Sequence, residues 1–215
     1  MNLFQNKKID RKIGPKIFET TTADSLQNKF KPRLYEKQIN FDHMRMYRLN
    51  RVKKQLLQND IGACILFDPI NIRYATDARN MSMFTMHTLA RYVFIPASGP
   101  VFLFDYPKSK HLSEDICTIN ETREAMSWDF FSSGKNVESN AKIWASSIDD
   151  LMKKYVSENR RLAIDICDPS GIQALLNNYN YIVFNAQKFL ETARSIKSED
   201  ELLCMKASIE TAEKG

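Results

Sequence analysis

The stretch Phe67-Asp-Pro-Ile-Asn-Ile-Arg-Tyr-Ala-Thr-Asp77 directly follows the apolar run Ala63-Cys-Ile-Leu-Phe67. An uninterrupted apolar run of this length is typical of a β-strand that is buried on both faces. Asp68-Pro69 ends the predicted strand, because proline cannot continue a β-ladder. The sequence therefore predicts a buried strand over residues 63 to 67.

The residues after this proline allow two interpretations. In the first, they form a turn and a short helical turn that packs Ile72 and Tyr74 inward, and Arg73 pairs with Asp77 or Asp68 to hold the turn. In the second, Arg73 and its polar neighbours line the edge of a pocket, where the guanidinium holds an anion. The spacing of the residues favours the first interpretation.

Further elements follow on the C-terminal side. Two strands, 91–95 and 100–104, flank a turn that contains Pro and Gly, and this arrangement predicts an antiparallel hairpin. A helix over 137–158 has one apolar stripe. A strand over 161–166, a helix over 170–177 and a strand over 181–184 come next. The sequence thus predicts an α/β fold with a mixed β-sheet flanked by helices.

The N-terminal part of the chain is strongly basic. Residues 1 to 59 contain 14 Lys and Arg against 5 Asp and Glu, and a helix is predicted over 43–59 with Asp42 as its N-cap. Residues 1–41 are interpreted as an extension. A basic segment can bind nucleic acid or an anionic membrane, but a solvated arm is the simpler interpretation because no nucleic-acid-binding motif accompanies it.

The C-terminal end predicts another helix. Ser198 and Glu201 form a capping box, and an apolar face follows at Leu202, Met205, Ile209 and Ala212. Nothing later in the sequence can bury this face. We expect either a docking helix or the beginning of a helix that leads into a longer protein.

The chain contains few residues suited to catalysis or metal binding. Its three histidines, His43, His87 and His111, are isolated, and its four cysteines are widely spaced. Motifs for a nucleophile elbow, a dinucleotide or a P-loop do not occur, and no apolar run is long enough to span a membrane. We expect a cytoplasmic chain with reduced thiols and with neither a catalytic residue nor a metal ligand of its own.

The stretch Asn71 to Asp77 is similar to the Asn-x-x-Tyr-x-(Thr/Ser)-(Gly/Asp) signature of the N-terminal domain in the creatinase, prolidase and aminopeptidase P superfamily, the pita-bread metalloenzymes. The run Arg194 to Ser208 resembles the helix that links this domain to the catalytic domain. The resemblance implies a ribonuclease-H-like α/β domain over 42–193, after the extension 1–41. The start of the linker helix then occupies 194–215.

Within this superfamily, the string from Phe67 to Met81 most closely resembles the dimethylsulfoniopropionate lyases of marine bacteria. Such a lyase abstracts a proton alpha to the substrate carboxylate and releases dimethyl sulfide and acrylate. The resemblance places a divalent metal, iron, zinc or manganese, in a C-terminal domain beyond these residues. An Xaa-Pro aminopeptidase, prolidase or creatinase-like hydrolase is the alternative, and a stand-alone binding module is the second alternative.

The resemblance also implies roles for individual residues. Small domains of this superfamily commonly form homodimers and wall the partner's active site with the loop before the hairpin. The implied partners are a second copy, the catalytic domain and a small-molecule substrate, whereas nucleic acid is not expected. Trp128 could present its ring to a cation, but the alternation around it also fits a strand, and core packing is the favoured interpretation. The candidate residues of the pocket wall are Arg73, Tyr74, Asp77, Phe84, His87, Arg91 and Trp128.

Overall fold

A computed structural model describes residues 37–79 and 88–214 of the chain. Helices alternate with strands along most of its length. In chain order the elements are α1 (Phe41–Gln58), β1 (Ala63–Leu66), α2 (Pro69–Thr76), β2 (Tyr92–Pro96), β3 (Phe102–Asp105), a 3-10 turn (Lys110–Leu112), β4 (Glu121–Glu124), α3 (Phe130–Ser133), a second 3-10 turn (Gly134–Asn136), α4 (Val137–Tyr155), β5 (Arg161–Ile164), α5 (Pro169–Asn178), β6 (Ile182–Asn185), α6 (Gln187–Ser195) and α7 (Glu199–Lys214).

The six described strands form one mixed sheet in the order β4-β3-β2-β1-β5-β6. The hairpin strands β2 and β3 are antiparallel, and β2 is also antiparallel to β1. The pairs β1–β5, β5–β6 and β3–β4 are parallel. Ile65 lies at the centre of the sheet, opposite Phe94 on one side and Ile164 on the other. The predicted mixed sheet flanked by helices is confirmed.

Each face of the sheet carries its own hydrophobic core. Successive side chains of β1 alternate between the faces, as the pleat of a strand requires. Ile65 and Phe67 pack with the aromatic residues beneath α4 and α5. Cys64 and Leu66 pack with the apolar sides of α1, α2 and α6. The strand that directly precedes the Asn71–Asp77 stretch is therefore buried on both faces, as its composition predicts.

Most predicted elements occur within three residues of the predicted bounds, but the N-cap of α1 differs. Asn40 caps the helix, and its side chain accepts a hydrogen bond from the backbone N–H of His43 at 3.0 Å. Asp42, the predicted cap, lies in the first turn and pairs with Arg45 at 2.8 Å. Both residues favour a helix N-terminus, so the sequence located the end of the helix but not its cap.

The edge strand β4 and helix α6 are, like the short helix α3, absent from the sequence prediction. The edge strand β4 has the sequence Glu-Thr-Arg-Glu, and neither apolar alternation nor β-propensity marks it. Helix α6 has no side-chain cap at Ala186, although Phe189, Leu190 and Ala193 are buried on one side. Both elements depend on contacts with the rest of the domain rather than on local signals.

The predicted capping box begins α7. Ser198 Oγ accepts from the Glu201 backbone N–H at 3.2 Å, and Glu201 accepts from the Ser198 backbone N–H at 2.9 Å. Ion pairs join this first turn to α1, with Arg48 to Glu201 at 2.7 Å and His43 to Asp200 at 2.7 Å. The apolar face beyond it remains about half exposed, as Leu202, Met205 and Ile209 show.

Candidate functional site

The stretch that resembles the superfamily signature forms the short helix α2. Asp68 caps this helix by accepting hydrogen bonds from the backbone N–H groups of Ile70 and Asn71, and Pro69 takes the first helical position. Asp77 ends the helix in the left-handed conformation, at a φ of 65°. Of the two sequence interpretations, the packed helical turn thus describes the backbone, and Ile72 is buried.

Asn71 is the centre of a buried hydrogen-bond network at the carboxyl ends of β1 and β5. Its side-chain amide donates to Asp165 at 2.9 Å and to Gln187 at 3.2 Å, and its carbonyl oxygen accepts from Arg194. The side chain is 1% exposed. Because Asp165 follows β5 while Gln187 and Arg194 belong to α6, one amide ties α2 to two other parts of the domain.

The carboxylate of Asp165 forms the other half of this network. It accepts from the backbone N–H groups of Phe67 at 2.8 Å and Ile166, as well as from Asn71. Burial raises the pKa of Asp165, and these N–H donors act against that rise. All of these donors come from the domain itself, so the network holds the sheet edge together and leaves little of the carboxylate for a ligand.

Tyr74 lies between two arginines. The guanidinium carbon of Arg194 is 5.3 Å from the ring centroid, and that of Arg48 is 5.6 Å away, which is within cation-π range. Burial, together with the negative charge of Glu201, raises the pKa of Tyr74 to about 12. The residue therefore holds α1, α2 and α6 together as a neutral ring.

Asp77 pairs with residues other than the one predicted. Its carboxylate lies 2.9 Å from Arg45 Nε and 3.1 Å from Arg79 Nη2. Arg73 is exposed and forms no side-chain ion pair with any described residue, so the predicted pairing of Arg73 with Asp77 or Asp68 is wrong. The reason is helical geometry, because α1 brings Arg45 to the buried side of Asp77 while Arg73 points to solvent.

A matched pair of variants separates the two kinds of residue in α2. Asn71→Ala is expected to lower the free energy of unfolding by about 2–3 kcal/mol, because it removes three buried hydrogen bonds, two of them to charged groups. Arg73→Ala, in the same helix, should change it by less than about 0.5 kcal/mol. Urea unfolding of both variants measures this difference. Equal losses would contradict the structural role of Asn71.

A cleft of about 350 Å³ lies at the open end of the hairpin, where Ala90 and Tyr106 line it. Phe131 at its rim is 86% exposed, and the neighbouring Phe130 is 79% exposed. Asp129 caps α3, and although burial acts in the opposite direction, hydrogen bonds from Ser127 and Ser132 lower its pKa. The lining residues are Thr88, Ala90, Tyr106, Pro107, Ala125, Ser127, Asp129, Phe131 and Ser132.

Comparison with known families identifies this arrangement of sheet, signature helix and final helix. The family model described as the creatinase/prolidase N-terminal domain matches residues 48–196. The chain belongs to this family. The predicted resemblance to the superfamily is therefore confirmed.

Two curated relatives of this creatinase/prolidase N-terminal domain are dimethylsulfoniopropionate lyases named DddP. The lyase of Roseovarius nubinhibens is 31% identical over 170 residues, and that of Roseobacter denitrificans is 30% identical over 170 residues. In both cases the match covers 79% of this chain and 38% of the relative. The chain thus spans well under half the length of the curated relatives it matches.

Solved structures share the fold. A prolidase from Thermococcus sibiricus superposes with a TM-score of 0.56 at 16% identity, over 79% of this chain and 42% of that one. The prolidase from Pyrococcus horikoshii gives a TM-score of 0.50 at 18% identity, over 78% of this chain and 40% of that one. At these identities the likeness shows the fold alone.

The described members of the predicted wall do not come together in one site. Tyr74 packs against the core on the α1 and α2 side of the sheet, whereas Trp128 belongs to the core on the opposite side. Arg91 is 2% exposed and pairs with the equally buried Asp105 at 3.0 Å. Phe84 and His87 lie outside the described residues. Arg73 alone among the described candidates presents its side chain to solvent.

Trp128 is 1% exposed, and its ring centroid lies 4.3 Å from that of Trp144. Core packing, one of the two interpretations considered, describes its position. Within the described residues the indole has no face open to a cation. The aromatic residues that do face solvent nearby are Phe130 and Phe131, neither of which the sequence predicted as part of the site.

The basic side chains of α1 bind groups of the domain itself. Arg48 pairs with Glu201, Arg51 donates to the backbone carbonyl of Ala193 at the end of α6, and Lys53 donates to that of Gly99 at 2.7 Å. Burial lowers the pKa of Lys53. Much of the positive charge of this helix therefore has a structural role.

Across residues 37–79 and 88–214, no group of three or more His, Cys, Asp or Glu side chains is placed to hold a metal ion. In the same part of the chain, no helix is long and apolar enough to cross a membrane.

Proposed function

We propose that this domain is the non-catalytic N-terminal part of a metal-dependent enzyme that cleaves dimethylsulfoniopropionate into dimethyl sulfide and acrylate. The observation that carries the proposal is the identity of 31% and 30% with two dimethylsulfoniopropionate lyases over most of this chain. The reaction needs a base that removes the proton alpha to the carboxylate, and a metal site to support it. Both belong to the catalytic domain of the enzyme, together with its iron, zinc or manganese.

The domain itself contributes dimerisation and part of the substrate pocket wall. We assign the wall to Phe84 and His87 and to the cleft that Thr88, the residue after His87 in the sequence, helps to line. The exposed ring of Phe131 supports this assignment, because an apolar wall excludes water from a small cationic substrate. Tyr74, Asp77, Arg91 and Trp128 support the wall from within the domain. Arg73 is free to contact the substrate carboxylate.

The enzyme belongs in the cytoplasm under this proposal. Four free thiols support that location, because a reducing compartment keeps cysteines unpaired. A second copy of the chain and the catalytic domain are its protein partners.

The test is an assay of the complete gene product, loaded with iron or zinc. We expect dimethyl sulfide release from dimethylsulfoniopropionate, measured by gas chromatography, and no proline release from an Xaa-Pro dipeptide. Proline release without dimethyl sulfide would instead establish an Xaa-Pro hydrolase. Loss of both activities would favour a binding module.

A variant pair tests the pocket wall in the same assay. His87→Ala is expected to lower kcat/KM for dimethylsulfoniopropionate by about tenfold or more, because a substrate-side hydrogen bond is lost. His111→Ala, in the exposed turn Lys110–Leu112, is the matched control and should leave kcat/KM unchanged. Equal effects of the two variants on kcat/KM would show that His87 does not belong to the pocket wall.

A further inference from the structure

Asn71 and Tyr74, two residues of the signature helix α2, contact the same arginine. Asn71 accepts a hydrogen bond from Arg194 in the last turn of α6, and the Arg194 guanidinium carbon is 5.3 Å from the centroid of the Tyr74 ring. The second cation at this ring is Arg48 of α1, at 5.6 Å. Because a guanidinium is attracted to an aromatic ring at this distance, the Tyr74 ring joins the end of α6 to α1.

Arg48 connects the Tyr74 ring to the first turn of α7. Its Nε atom donates to one carboxylate oxygen of Glu201 at 2.7 Å, and the other oxygen accepts from the backbone N–H of Ser198 at 2.9 Å. Only 20% of the Arg48 side chain and 7% of the Glu201 side chain are exposed, so water screens this ion pair weakly. The same carboxylate thus closes the capping box of α7 and ties the helix to α1.

Helix α7 is held near its beginning. Asp200 accepts from the backbone N–H of Asn40 at 2.9 Å, and both this contact and the ion pair of Arg48 lie in the first turn. Residues 203–214 extend the helix by about 18 Å beyond that turn. A tilt of about 10° in the first turn therefore moves the far end of α7 by about 3 Å.

We propose that Asn71 and Tyr74 position α7, and with it the domain into which α7 leads. The two residues hold Arg194, shortly before the Ser198 cap, and so fix the place where the chain turns from α6 into α7. Through Arg48, the Tyr74 ring also fixes the direction of the first turn. The inference rests on the proposed function, because there the domain that follows α7 is the catalytic domain.

Accurate placement of α7 matters for catalysis because the pocket wall and the reacting groups belong to different domains. A displacement of about 1 Å between a positioning group and the reacting atoms can lower a rate by about a hundredfold. A movement of about 3 Å at the end of α7 exceeds that tolerance. Asn71 and Tyr74 are thus positioning residues, which act on the substrate only through α7.

A matched pair of Tyr74 variants in the complete protein tests the proposal. Tyr74→Phe keeps the ring and loses a hydroxyl that has no hydrogen-bond partner among the described residues. Tyr74→Leu keeps an apolar side chain but removes the ring that the two arginines face. Hydrogen exchange of the α7 amides is expected to rise about tenfold or more in Tyr74→Leu and to stay near wild type in Tyr74→Phe. The amides of β1 and β5 should keep their wild-type rates in both variants.

A second pair of variants tests the connection through α1. Arg48→Met removes the partner of Glu201 and should produce the same local rise in the exchange of α7. Lys54→Met, at an exposed position of the same helix, removes an equal charge and should leave α7 at wild-type rates. An equal rise in β1 and β5 would mean a general loss of stability and would overturn the positioning role. Equal exchange of α7 in Tyr74→Leu and Tyr74→Phe would overturn it as well.

Activity provides the functional readout. In Tyr74→Leu, kcat/KM should fall about tenfold or more for whichever substrate the complete protein turns over, dimethylsulfoniopropionate or an Xaa-Pro dipeptide. Tyr74→Phe should restore most of this loss. A wild-type kcat/KM in Tyr74→Leu, despite faster exchange in α7, would contradict the catalytic consequence. Failure of the wild type to release dimethyl sulfide would count against the proposed function alone, because the exchange measurements do not depend on that activity.

Discussion

Arg91→Met is expected to lower the free energy of unfolding by about 3–5 kcal/mol, because it removes one partner of a buried ion pair. The side chains of Arg91 and Asp105 are 2% and 1% exposed, and Arg91 Nε lies 3.0 Å from Asp105 Oδ2. The ion pair is therefore almost completely removed from solvent. Urea unfolding followed by circular dichroism measures the loss.

A double variant shows whether the broken ion pair causes this loss. The Asp105 carboxylate accepts a hydrogen bond from the backbone N–H of Tyr106 at 2.8 Å. Asp105→Asn removes the charge but keeps an oxygen that can accept this bond. The variant Arg91→Met with Asp105→Asn should therefore be more stable than Arg91→Met alone, by about 1–3 kcal/mol. If adding Asp105→Asn brought no recovery, the loss would come from the packing of the Arg91 stem instead.

The position of this pair could have been derived from the sequence. The hairpin register places Tyr92 opposite Phe104, so Arg91 and Asp105 are the next pair along the two strands. The strands and the turn were predicted, and counting outward from the turn brings the two opposite charges together. The family resemblance instead implied that Arg91 belongs to the pocket wall.

The fold was more predictable than the site, for a physical reason. The strands β1, β2, β3 and β5 and the long helix α4 have local apolar patterns that match their burial. The network around Asn71 depends on Asp165, Gln187 and Arg194, which are distant in sequence and meet only because β1 and β5 are adjacent and parallel. A single sequence carries no local signal for such contacts.

The signature residues also acquire a physical explanation from the structure. Asp77 adopts a left-handed conformation at the end of α2, and Gly and Asp, the two residues that the signature permits there, are among those that tolerate it. Asn71 and Tyr74 join α2 to α1 and α6. The signature therefore specifies how this helix is held, and it predicts the fold better than it predicts a ligand.

Trp128→Ala is expected to lower the free energy of unfolding by about 3–5 kcal/mol, because it opens a large cavity in the aromatic core. The Trp128 ring is tilted by 35° against that of Trp144, with the centroids 4.3 Å apart, and it meets Phe67 edge to face at a centroid distance of 5.7 Å. Trp128→Phe keeps part of this packing and should lower the free energy of unfolding by less. Thermal and urea unfolding measure both variants, and Trp144 fluorescence provides a second signal.

The neighbouring Gly171 supplies a stricter test of the same packing. A Cβ at this position would lie 2.9 Å from Trp128 Cζ2 and 2.7 Å from Cys167 Sγ. Gly171→Ala alone should therefore lower the free energy of unfolding by about 1–3 kcal/mol, because the core is overpacked. With Trp128 also changed to Ala, the indole no longer opposes the new methyl group. The double variant should then lose less stability than the sum of the two single losses, by about 1 kcal/mol.

Additive losses would mean that the two side chains do not share this space. A Trp128→Ala variant of wild-type stability whose complete enzyme fails to release dimethyl sulfide would contradict core packing and restore the substrate-facing interpretation. The burial of the ring argues against that outcome, because a cation can approach an aromatic face only where solvent can. A large loss of stability is thus the result that follows from the position of Trp128 between the sheet and α4.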